Sequence, residues 1–231
     1  MANVVHVDEK WFFLPTSSRT SRCTKYVTEE PSARRKAQHQ GHIIKTMFLG
    51  AVALPRRNTS NDSSFDGKIE IYPFTYQEED QRSSRNKARA TMEVTEEIYK
   101  RMLIDHVIPE IKAKFPRPPT NASPEDMILL AAISSDRWDI RLVNQPTNSP
   151  DMNILDLGFF ASIQSLQNRT TPMNINELLD AVKDSWQRDP PAVLNRVWLS
   201  LQACLEQVIL AGGDNSYKLP HLHNGRLETA G

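Results

Sequence analysis

The chain has 231 residues, with 39% apolar and 24% charged, which suits one sizeable globular core or one domain with a helical appendage. Lys+Arg and Asp+Glu each total 28, so the formal net charge is zero. That balance argues against a dedicated DNA-binding domain acting alone, which needs excess basic charge to neutralise phosphates, and it leaves room for a nuclease core that carries acidic metal ligands.

In chain order, Val4-Val5-His6-Val7-Asp8 and Trp11-Phe12-Phe13-Leu14 read as a β-rich start broken by Asp8-Glu9-Lys10. Tyr26-Val27 is a weak second strand candidate. The run from Ile43 to Leu54, rich in Ile, Val and Phe and closed by Pro55, predicts a buried strand. Arg56 to Ser64 is a polar loop by composition, and Ile69-Glu70-Ile71-Tyr72 alternates like a half-exposed strand. Gln77 to Ala90 is polar, with Arg82, Arg85, Lys87 and Arg89 close together. It reads either as a solvated loop or as a contact to a DNA backbone. Arg34-Arg35-Lys36 is a further basic cluster.

A helix is predicted from Thr95, a suitable N-cap followed by Glu96 and Glu97. Its stripe of Ile104, Val107, Ile108, Ile111 and Phe115 is interrupted by Pro109, which predicts a kink or an early end. After the linker-like Pro116-Arg117-Pro118-Pro119, a short helix is expected over Met127 to Ser134 and a strand over Ile140 to Val143. Three amphipathic helices follow. The first begins near Asp151 and buries Leu155, Phe159, Phe160, Ile163 and Leu166. The second, from Asn174 to Asn176 onward, carries Leu178, Leu179, Val182 and Trp186. The third opens at Pro190-Pro191, carries Leu194, Val197, Trp198, Leu201, Leu205 and Val208, and stops at Gly212-Gly213. Trp186 and Trp198 fall on apolar faces and read as core. Strands first and helices after give an α/β or α+β class.

Cys23 and Cys204 lack metal-ligand spacing, so no zinc site is expected. No leader-like pattern and no apolar run of membrane-span length occurs, which predicts a protein that is intracellular and not secreted. His221 and His223 have the spacing of a metal pair but no supporting acid, and read as solvated surface.

Two acidic motifs carry the candidate chemistry. An aspartate at position 8 inside a strand-like apolar run is costly unless solvated, paired or bound to a metal. Asn148-Ser149-Pro150-Asp151-Met152-Asn153-Ile154-Leu155-Asp156 is a turn leading into a helix. His6-Val7-Asp8-Glu9-Lys10-Trp11-Phe12 resembles the first catalytic motif of Tc1/mariner-like transposases, and Ser149 to Asp156 resembles their third. Lys45-Thr46-Met47-Phe48-Leu49, Phe65-Asp66-Gly67-Lys68-Ile69, Leu103 to Pro109, Asp156 to Gln167 and Asn215 to His221 extend the resemblance over almost the whole chain.

The resemblance implies an RNase H-like α/β fold, a mixed sheet flanked by helices, over residues 1–167, with a C-terminal helical extension over 168–231. It implies a nuclear DNA transposition enzyme that acts on transposon ends and is compatible with a homo-oligomer. In such enzymes three acids hold two divalent ions, Mg²⁺ or Mn²⁺, which activate the attacking oxygen and stabilise the leaving one. Carried over, Asp8 matches the first acid and Asp156 the third, both as metal ligands and catalytic residues, while Asp151 reads as a helix cap. The strand bearing the second acid has no counterpart: Phe115 to Thr120 passes straight to Asn121-Ala122-Ser123-Pro124-Glu125-Asp126. This reads as an internal deletion near 116–123. Glu125 and Asp126 sit where a helix dipole already explains them. The family's N-terminal helix-turn-helix region, which reads the transposon ends, also has no counterpart in this sequence. The expectation is a catalytically impaired strand-transfer core; the alternative is a non-catalytic DNA-binding or protein-interaction remnant.

Overall fold

An apolar run flanked by two alternating segments builds one three-stranded antiparallel sheet. The computed structural model describes residues 3–14, 44–57, 64–79, 87–116, 138, 140–146, 149–213 and 217. The run forms β2 (Lys45–Ala53), paired on one side with β1 (Val5–Phe13) and on the other with β5 (Lys68–Pro73). Central β2 is buried on both faces, which is why its sequence is continuous rather than alternating. Between β2 and β5, β3 (Arg56–Arg57) and β4 (Ser64–Phe65) make a two-residue ladder at the ends of the stretch expected to be all loop.

A second expected loop is also partly a ladder. β6 (Thr75–Glu79) and β7 (Lys87–Thr91) form an antiparallel pair, with Glu79 opposite Lys87 and Gln77 opposite Arg89. Polar composition misleads here because backbone hydrogen bonds hold a two-stranded ladder together, and these need no apolar alternation.

Helices cover both faces of the sheet. Leu49, Ala51, Ala53 and Ile69 pack with Leu103, Val107, Ile111 and Phe115 on one side. These come from α1 (Glu96–Met102), a wide π turn over Leu103–Val107, and α2 (Ile108–Lys114). The Thr95 hydroxyl accepts the Ile98 N–H at 3.3 Å, the expected cap. Of the two outcomes expected at Pro109, the early end does not occur: the helix continues to Lys114. The preceding π turn, in which the Ile108 N–H donates to the Leu103 carbonyl, absorbs the bond that proline removes.

On the opposite face Phe12, Phe48, Val52 and Ile71 meet the remaining helices. A 3₁₀ turn (Pro150–Met152) leads to a π segment (Leu155–Phe159), α3 (Phe160–Gln167), α4 (Ile175–Arg188) and α5 (Pro191–Leu210). Asn174 caps α4 by accepting the Glu177 N–H, and Glu177 reciprocates by accepting the Met173 N–H, a capping box. Past α5, Gly212 and Gly213 take positive φ. Trp186 and Trp198 are core residues, as expected, and α4 and α5 share one hydrophobic cluster with the sheet. Aromatic burial of this size is the largest favourable contribution to such a core.

The strand expected over Ile140 to Val143 does not form; residues 140–146 have no regular structure, and Leu142 and Val143 are exposed. A strand needs a hydrogen-bonded neighbour, and β1 lies at the sheet edge with no strand on its outer side among the described residues. No parallel pair, and so no mixed sheet, occurs among the described residues. Tyr26-Val27, Arg34-Arg35-Lys36, Glu125, Asp126, Met127 to Ser134, His221 and His223 lie outside those residues.

Candidate functional site: a carboxylate pair on the edge strand

Strand periodicity decides where Asp8 points. Val5 and Val7 pack on the α1–α2 side. Their neighbours His6, Asp8, Lys10 and Phe12 face the helices that begin at Ile154: His6 stacks edge-on against Trp198, Lys10 lies over the Phe160 ring, and Phe12 packs against Phe160. Asp8 sits between these contacts, half-buried, next to the first turn of that helix.

Both oxygens of Asp8 are engaged. Oδ1 accepts the Glu9 N–H at 2.8 Å, and Oδ2 accepts the Asn153 side-chain N–H at 2.9 Å. Asp156, exposed in the first turn of the helix, lies close enough to Asp8 for the two carboxyls to perturb each other's protonation. Burial raises the Asp8 carboxyl above the usual range. Asp156 is pushed up to about 6 by desolvation first and then by the charge and hydrogen bond of Asp8, with Lys10 opposing. The two acids picked out by motif thus come together, on the strand and the helix where the sequence put them.

Asp151 is not the helix cap. It lies in the 3₁₀ turn, and its carboxylate accepts a hydrogen bond from the Tyr217 hydroxyl. Asn153 caps instead, with extended backbone and with Oδ1 accepting the Leu155 N–H at 3.0 Å. Sequence reasoning missed Asn153 as a site residue. The available signal was a good N-cap residue immediately before the apolar helix stripe.

Among the described residues no group of three or more His, Cys, Asp or Glu side chains could hold a metal ion. Two carboxylates alone do not fit a two-ion centre, which draws on three acids. Of the basic residues proposed to contact DNA, Arg82 and Arg85 lie outside the described residues, and Lys87 and Arg89 are residues of β7. A separate cleft of about 900 Å³ near the start of β5 is lined by Arg56, Phe65, Asp66, Lys68, Lys114 and Trp186 among others; neither Asp8 nor Asp156 reaches it.

The pair and its neighbour His6 oppose each other in their pH dependence. Folded Asp156 keeps its proton to about pH 6, whereas an unfolded aspartate loses it near 3.8. The folded state therefore binds more protons in that window, and this contribution to stability is lost as pH rises through it. Burial lowers His6 from 6.5 to about 4, so its contribution is lost as pH falls through that range. Asp156→Asn is expected to raise stability at pH 7.5 by about 1 kcal/mol, a figure discounted for the exposure of Asp156. Urea midpoints at pH 4.5 and 7.5 measure it; a gain that is equal at both pH values contradicts the repulsion.

No family model matches the chain, and no curated protein matches it. No helix among the described residues is long and apolar enough to cross a membrane.

Proposed function

We propose that this chain derives from the catalytic core of a Tc1/mariner-like DDE transposase, an RNase H-like DNA strand-cleaving and strand-transferring enzyme, and that it is catalytically impaired. The observation that carries the reading is the meeting of Asp8 and Asp156, distant in sequence and singled out by motif before any geometry. Further support comes from β1, which lies at the sheet edge among the described residues, and from segment 140–146, which has strand-like composition at its start but no regular structure. In this reading an internal deletion near 116–123 removed the strand that bears the second acid.

In this reading the intact ancestor works in the nucleus on transposon ends with Mg²⁺ or Mn²⁺, which polarise the phosphate and activate the attacking oxygen when three acids hold them. The described residues do not supply that set, so no step through an ion is assigned. The descent is tested by sequencing the genomic flanks of the coding frame. Terminal inverted repeats on both sides are expected; flanks without repeats, in several copies of the gene, contradict it.

The amide-filled site favours a second reading, a non-catalytic DNA-binding or protein-interaction module. DNA affinity that falls steeply with salt, without cleavage, marks its DNA-binding form.

A further inference from the structure

We infer that Asp8, Asn153 and Asp156 form an ion-free fastener joining β1 to the helix that opens at Ile154, with Asn153 occupying the space beside the acids. The inference rests on the proposed reading of Asp8 and Asp156 as the remaining acids of a metal-dependent core.

Asn153 is 5% exposed, and both ends of its amide are committed. Nδ2 donates to Asp8 Oδ2 at 2.9 Å, and Oδ1, its only atom able to ligate a metal, accepts the Leu155 N–H at 3.0 Å. A cation approaching Asp8 Oδ2 therefore meets the positive edge of an N–H. The charge on Asp8 is already compensated by two N–H donors, from Glu9 and Asn153. One side chain thus ties the edge strand to the helix start and fills the space beside the acids. Hard cations such as Mn²⁺ bind through carboxylate oxygens, so an amide turned donor-first is a poor substitute for a ligand.

Asn153→Asp separates the two roles. Aspartate caps a helix about as well as asparagine, so the Leu155 contact survives. Toward Asp8 it exchanges a donor for a third carboxylate oxygen, which repels the pair until a cation bridges them.

The full chain is titrated with Mn²⁺, read by the paramagnetic resonance of the free ion, with thermal midpoints recorded in EDTA and in Mn²⁺. Wild type is expected to melt at the same temperature in both. Asn153→Asp is expected to melt lower in EDTA, recover in Mn²⁺, and bind Mn²⁺ on the order of tenfold more tightly than wild type. Adding Asp8→Asn should abolish the gain. Asn153→Ser, which retains a capping oxygen but lacks the reach to Asp8, should leave Mn²⁺ binding at the wild-type level. A folded Asn153→Asp protein with no gain in affinity overturns the inference. So does a wild-type midpoint that rises in Mn²⁺, a result that decides the matter even where Asn153→Asp fails to fold. The proposed descent is untouched by these outcomes, since it stands or falls on the inverted repeats.

Discussion

Gly67→Ala is expected to destabilise the protein by about 3 kcal/mol, combining the penalty for an L-residue in left-handed backbone with that of overpacking. Gly67 has φ +87° in the turn that starts β5. A Cβ there would lie 2.5 Å from the Ala53 carbonyl oxygen, 2.7 Å from Leu194 Cδ2 and 2.9 Å from Pro55 Cγ. The first of these is backbone and already tied, because the Ala53 N–H donates to the Gly67 carbonyl at 2.7 Å. Relief would have to come from separating the end of β2 from the start of β5. The same turn is held by Asp66 Oδ1, which accepts the Lys68 N–H at 2.9 Å. Thermal melting reads the effect as a drop of roughly 10 °C for a chain of this size. A change within about 0.5 kcal/mol, the scatter of neutral surface substitutions, would show that the turn relaxes freely.

Lys68→Met is expected to have an effect of similar size through another route. The Lys68 side chain is 8% exposed, and its Nζ donates to the carbonyls of Trp186, Gln187 and Asp189 at 3.1, 3.1 and 3.0 Å, with Asp66 at 3.5 Å. An ammonium at the negative end of α4 satisfies carbonyls that the helix itself cannot, and it ties the far end of that helix to the sheet. Methionine preserves length and packing but leaves those carbonyls without their donor. The loss is about 3 kcal/mol, since hydrogen bonds to a charged group contribute more than neutral ones and the three are not additive. Lys183→Met, on the exposed face of the same helix, is the reference and should change stability by no more than about 0.5 kcal/mol. Equal urea midpoints for the two variants would remove Lys68 from this role.

Gly67 and Lys68 belong to Phe65-Asp66-Gly67-Lys68-Ile69, which resemblance alone had marked. Its physical content is a strained turn and a helix clamp, neither visible in the pentapeptide itself. What a strand or helix does within its own length was legible: the apolar run of β2, the stripes of α3, α4 and α5, the Thr95 cap and the alternation that sends Asp8 to one face. What depends on a neighbour was not. Ile140 to Val143 has strand composition but joins no ladder among the described residues, whereas β6 and β7 pair despite their polar sequence. Pro109 breaks a helix on local rules, and a π turn one step earlier accommodates it. The carboxylate pair was legible through motif order, while Asn153 between the two acids was overlooked because the cap was assigned to Asp151 two residues earlier.

Among the described residues the fold brings two acids together and no third joins them. The most direct measurement is nicking of supercoiled plasmid by the full chain in Mn²⁺, beside Asp8→Ala and Asp156→Asn under identical conditions. The expected result is nicking by the unaltered chain no greater than by either variant. Robust Mn²⁺-dependent nicking that disappears with Asp8→Ala would contradict the account, because the pair would then be working as a complete catalytic site.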